Sequence, residues 1–139
     1  MNRQEYSEYL ETEHWQDVRK AMYSIQHICT MCFIKEDNLN IHHKTYENLF
    51  NEKYFDLMVL CNKCHRYIHE NDIEFKEEKP SLSDLVRERT FELMVYYGYN
   101  FEISIERAKE EIYSVHGEPK IQLIGDLVRE YMEEVKTNG

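Results

Sequence analysis

Residues 39–69 read LNIHHKTYENLFNEKYFDLMVLCNKCHRYIH. Leu39-Asn40-Ile41-His42 alternates apolar and polar side chains, the pattern of a short half-buried strand. Leu57-Met58-Val59-Leu60 is a second short apolar run, and it leads straight into Cys61-Asn62-Lys63-Cys64. A helix is expected from about Asn62 to about His69. Residues 44–55 form a polar and aromatic loop between the two strands. The order is strand, loop, strand, helix, and four histidines and a cysteine pair are concentrated within it.

Working outward, the cysteines come first. All four fall into CxxC pairs, Cys29/Cys32 and Cys61/Cys64. Two knuckles of this spacing present four thiolates to one tetrahedral Zn²⁺. Four protein ligands leave no open position, so this zinc is expected to be structural, its binding energy being folding energy. The segment between the pairs is longer than in the shortest zinc ribbons, and the histidines lie in this insertion.

His65 and His69 are four apart on the expected helix and point to one side. His42 and His43 are adjacent at a strand end, so their side chains should point opposite ways. One can ligate a metal while the other keeps a separate role. A one-metal hydrolase needs that division: three ligands, an open position and a distinct base. A second structural zinc site on His42, His65 and His69 is the plainer alternative. His14, His27 and His116 have no partner pattern and read as surface or helix-end residues.

Before this region, Tyr6, Leu10, Trp15, Val18, Met22 and Ile25 recur at helical spacing and predict one helix over residues 4–26. After it, residues 70–80 are charged, end in Pro and read as a linker. Ser81 or Ser83 should cap a helix running to about Tyr97, with Gly98 as its stop. Ser104 should open another that reaches about His116. A third is expected from about Lys120 to Lys136. The fold class is therefore α+β and mostly helical: residues 1–79 hold both metal sites, and residues 80–139 form a helical region.

The formal net charge is −10, the wrong sign for tight phosphate binding. It is spread evenly, with 10 Lys+Arg against 15 Asp+Glu before residue 80 and 7 against 12 after it. Residues 41–69 are near neutral before any cation is counted. The N-terminal stretch MNRQEYSEYLETEHW is charged and has no apolar signal-peptide core, and no apolar run approaches the ~20 residues of a membrane span. A cytoplasmic protein with no membrane partner is expected. Disulfides are rare in that compartment, which again favours metal at the CxxC pairs.

The run Ile41-His42-His43-Lys44-Thr45-Tyr46, followed by Asp56 to His69, resembles the HNH endonuclease signature. With the preceding CxxC and the Tyr9-to-Trp15 segment it is similar to the zinc-supported HNH proteins common in phages. The resemblance covers roughly residues 5–70. It implies a ββα-metal (His-Me finger) core gripping one divalent cation. By that pattern His43 is the general base, and His42, His65 and His69 ligate the catalytic metal. His65 is the last His of the signature, and Asp56 takes the place of the middle Asn that orients the base. The usual Gly pair of the loop is replaced by Asn51-Glu52.

The activity so implied is metal-dependent hydrolysis of phosphodiester bonds in nucleic acid, DNA being the expected substrate. For a phage-encoded chain the site of action is the bacterial host cell. Three imidazoles favour Zn²⁺, Ni²⁺ or Mn²⁺ as the catalytic ion, and a carboxylate from Asp56 would tilt the choice toward Mg²⁺. Lys44, Lys63 and Arg66 are candidates for positioning phosphate. A second reading rests on the acidity: a protein-interaction module on the same scaffold that engages a basic partner, as an inhibitor of a host nucleic-acid enzyme would.

Overall fold

The computed structural model describes residues 1–76 and 78–118. The helix expected over 120–136 lies outside them. The chain is α+β, with five helices and one two-stranded sheet among the described residues.

The N-terminal segment, expected as one helix, is two: α1 (Arg3–Leu10) and α2 (Glu13–Ile25). Thr12 makes the break. Its backbone is extended, its hydroxyl accepts from the Trp15 N–H at 3.2 Å, and it donates to the Tyr9 carbonyl at 2.6 Å. A Thr that satisfies an orphan N–H at a helix start is worth about 1 kcal/mol as a cap. The break folds α1 back so that Tyr9 and Trp15, both buried, meet at 5.7 Å between ring centroids.

Strands β1 (Asn40–His43) and β2 (Leu57–Leu60) pair antiparallel, with Ile41 opposite Val59 and His43 opposite Leu57. The loop joining them is closed by the Lys44 N–H, which donates to the Asp56 carbonyl at 2.7 Å. Residues 54–56 make a short 3-10 turn. Helix α3 (Asn62–Glu70) follows directly and buries Ile68 against the hairpin.

Helix α4 (Leu82–Val95) starts at Ser81, whose hydroxyl accepts from the Asp84 N–H, while the Asp84 carboxylate accepts from the Ser81 N–H. This reciprocal box stabilises both first-turn donors. Gly98, at φ 75°, follows the helix. Helix α5 (Phe101–His116) begins earlier than expected. Asn100 is its cap, accepting from the Ile103 N–H at 2.9 Å, and Ser104 is a buried interior residue.

Val18, Ala21 and Met22 on α2, Val59 and Leu60 on β2, and Phe91 on α4 belong to one buried cluster. Fully burying one such large side chain stabilises by roughly 1.5–3 kcal/mol. Phe91 ties α4 into the core beneath the hairpin, so the division expected at residues 79/80 does not separate two cores. None of the described helices is long and apolar enough to cross a membrane.

Candidate functional site

The four cysteines converge. Their sulfurs lie within 4.8 Å of one another, and Cys32 Sγ is 3.7 Å from Cys61 Sγ. Zn–S bonds of about 2.3 Å give tetrahedral edges of about 3.8 Å, so the cluster fits a metal ion such as zinc. Backbone bonds set the first knuckle: the Cys29 N–H donates to the Ile34 carbonyl, and the Phe33 N–H donates to the Cys29 carbonyl. In the second, the Cys64 N–H donates to Cys61 Sγ. Burial pushes the Cys29 thiol up, but backbone N–H groups of Cys32, Cys61 and Met31 outweigh it and bring the thiol down to about 6. A thiol so poised gives up its proton readily to a metal.

A second cluster stands on the α3 side of the hairpin. Nitrogens of His42, His65 and His69 lie within 4.8 Å of one another, and the Nε2 atoms of His65 and His69 are 3.0 Å apart. The His42 ring sits 5.3 Å from that of His65 and 5.1 Å from that of His69. Burial, then the neighbouring imidazoles, lowers His42 to about 4, and burial lowers His65 as well. Both shifts favour the neutral imidazole, the form that offers a lone pair to a cation. His69 is exposed at the rim, so one side faces solvent.

His43 faces the other way. Its ring stacks on Trp15 at 4.9 Å and on Tyr46 at 5.3 Å, each pair inclined by 23°. Its side chain has no solvent exposure, and burial lowers its pKa to about 4. Nε2 lies 3.2 Å from Glu52 Oε2, and Nδ1 lies 3.2 Å from the Tyr6 hydroxyl. The adjacent residues of β1 thus serve two environments, His42 the imidazole trio and His43 a closed polar nest under α1 and α2.

The partner of His43 is Glu52, where Asp56 was expected. The Asp56 carboxylate accepts from the Lys53 N–H at 2.8 Å and from Asn48 Nδ2 at 3.0 Å, which caps the 54–56 turn and pins the loop. It makes no hydrogen bond to His43 and is not part of the imidazole trio. The physical reason is reach: a residue at the mouth of β2 is used up holding the loop's own donors, whereas Glu52 at the loop's end points back under the hairpin.

Two more residues escape a reading of sequence alone. His14 Nε2 is 2.8 Å from Oε1 of Glu52, 38 residues further on, so the carboxylate bridges the imidazoles of His14 and His43. Tyr96, beyond the end of α4, donates its hydroxyl to the Glu52 carbonyl at 2.6 Å. For His14 the one local signal is its place beside the buried Trp15.

Lys44, Lys63 and Arg66 are exposed, with no ion pair among the described residues. Comparison with protein-family models, curated proteins and solved structures returns no significant match.

Proposed function

We propose that this chain is an HNH-type endonuclease that hydrolyses phosphodiester bonds, with DNA as its substrate. The observation that supports this most is the pair His42–His43. One strand end gives one imidazole to a three-histidine cation site and the next to a held ring with a lone pair to offer. The four cysteines would hold a structural Zn²⁺ beside it.

His42, His65 and His69 would hold a catalytic divalent cation, with three nitrogen donors favouring Zn²⁺, Ni²⁺ or Mn²⁺ over Mg²⁺. When bound, such an ion offsets charge on the phosphoryl oxygens and eases deprotonation of water. His43, neutral at pH 7, takes the proton of the attacking water on its unprotonated ring nitrogen. The water oxygen forms the new bond to phosphorus as the bond to the departing 3′-oxygen breaks, and that oxygen takes a proton from solvent. Exposed Lys44, Lys63 and Arg66 would steer phosphate locally against the overall negative charge.

The test is supercoiled plasmid with a panel of divalent metals. His43→Ala should slow nicking by roughly 10²–10⁴ with cation affinity near wild type. His42→Ala should instead weaken cation binding by calorimetry. Equal loss of cation from both variants would refute the division of roles. The net charge of −10 and the enclosed His43 support a second reading, an acidic module that binds a basic protein. A wild type inert on DNA and RNA with every metal would select that reading.

A further inference from the structure

Glu52 is 1% exposed, and each of its carboxylate oxygens meets a different imidazole Nε2. Burying a carboxylate is costly unless its lone pairs are met by donors. Neighbouring Asp56 gives it no relief, since that carboxylate is itself an acceptor. The backbone N–H groups of Glu52 and Phe50 favour the ionised form, and the two rings are the side-chain groups that meet its oxygens. An ionised carboxylate only accepts, so both His14 and His43 must present Nε2–H to it. For neutral His43 this leaves the lone pair on Nδ1. The Tyr6 hydroxyl, 3.2 Å from Nδ1, then donates to that lone pair. The stacked rings of Trp15 and Tyr46 fix the plane, and Glu52 fixes the rotation within it.

We propose that Glu52 is the positioning residue of the site: it locks His43 in the Nε2–H tautomer, so that Nδ1 is the atom that takes the proton. His14 holds Oε1 and so keeps Oε2 aimed at His43. This role rests on the reading of His43 as the base. It concerns which ring nitrogen bears the proton. An analogous acid-to-amide exchange in serine proteases costs about 10⁴ in rate through the wrong tautomer.

The experiment uses the full chain in its zinc-loaded form. Long-range ¹H–¹⁵N correlation spectra of the imidazoles, assigned with His43→Ala, report the tautomer directly. His43 is expected to show a pyrrole-type Nε2 and a pyridine-type Nδ1. Glu52→Gln places an amide N–H₂ against one ring and should mix the His43 tautomers. It should lower kcat for plasmid nicking by roughly 10²–10⁴ with KM and calorimetric cation affinity unchanged. His14→Ala, a milder change should Glu52→Gln fail to fold, should lower kcat about tenfold or less, the range of losing one supporting hydrogen bond. A wild-type His43 protonated on Nδ1, or a nicking wild type whose kcat ignores both substitutions, overturns the positioning role alone. A Glu52-dependent tautomer in a wild type that cleaves nothing overturns the nuclease reading, and with it any part of Glu52 in catalysis.

Discussion

The Tyr96 hydroxyl reaches the backbone carbonyl of Glu52, 44 residues earlier, at 2.6 Å. A side chain just past α4 thereby holds the loop residue that faces His43. Tyr96 is itself partly exposed, so water can replace its hydroxyl in part. Tyr96→Phe should cost about 0.5–1.5 kcal/mol in chemical denaturation, the net worth of one hydrogen bond. It should lower nicking severalfold at most, because the Glu52 carboxylate keeps its two imidazoles. Phe91→Ala, in contrast, empties a site in the shared core and should cost about 3–5 kcal/mol. Unchanged stability in both variants would mean that α4 does not support the loop.

The thiolate cluster makes a separate prediction. Replacing any of Cys29, Cys32, Cys61 or Cys64 with Ser should abolish stoichiometric zinc in metal analysis and lower the melting temperature sharply, since binding energy at such a site is folding energy. His65→Ala, with the cysteines intact, should leave this ion in place. A wild type that folds fully without metal would contradict the structural role.

How the sites were legible follows from how local they are. Two CxxC knuckles and an i, i+4 histidine pair declare themselves by spacing, and strand alternation separates His42 from His43. His14 and Tyr6 reach the site from the other end of the chain, 38 residues from Glu52 and 37 from His43, so no local pattern links them. Asp56 and Glu52 compete for one role within a loop that has no Gly to fix its path, and only the folded loop shows which carboxylate turns inward. The helix break at Thr12 was hidden because helical spacing from Leu10 to Trp15 runs across it. Its local signal is a Thr followed by Glu at the start of an apolar stripe.

Acid should destabilise the protein in a defined window. Burial lowers His42 and His43 to about 4 and also lowers His14 and His65 from the usual 6.5. Between about pH 4 and 6.5 the unfolded chain binds protons at these rings that the folded chain does not, so stability rises with pH through the window and levels off above it. Burial raises Glu52 and Glu88, which act in the opposite sense above the ordinary carboxylate range, but they are two groups against four. Melting temperatures of the zinc-loaded protein, with no other divalent metal added, from pH 4.5 to 8 check this. A melting temperature that falls as pH rises from 5 to 6.5 would be the wrong sign.

The Tyr9 side chain is 1% exposed and its hydroxyl has no hydrogen-bond partner among the described residues. Its ring packs on Phe50 at 4.8 Å and beside Trp15 and His43, so the ring stabilises while the oxygen costs. A buried polar group without a partner costs about 1–3 kcal/mol. Tyr9→Phe keeps the ring and removes the oxygen, and should stabilise by about 1 kcal/mol or more without changing nicking. A destabilised Tyr9→Phe would show that the hydroxyl has a partner, such as a buried water.

Tyr6 gives the last prediction. Burial, with Tyr46 and Glu52 adding to it, raises its pKa to about 12, so the phenol stays protonated, and with His43 in the proposed Nε2–H tautomer it donates to Nδ1. A water that is to lose its proton to Nδ1 must first displace that bond. The bond is worth about 0.5–1.5 kcal/mol net, or roughly a two- to tenfold factor in the population of open sites. Tyr6→Phe keeps the ring's edge contacts with His43 and Tyr46 and frees the lone pair. It should raise kcat about two- to tenfold, leave cation affinity unchanged and lower stability by no more than about 1.5 kcal/mol. Tyr6→Ala should raise access further but lose the packing, so its stability should fall more. A tenfold drop in kcat for Tyr6→Phe would give the hydroxyl a direct part in proton transfer in place of a competing one.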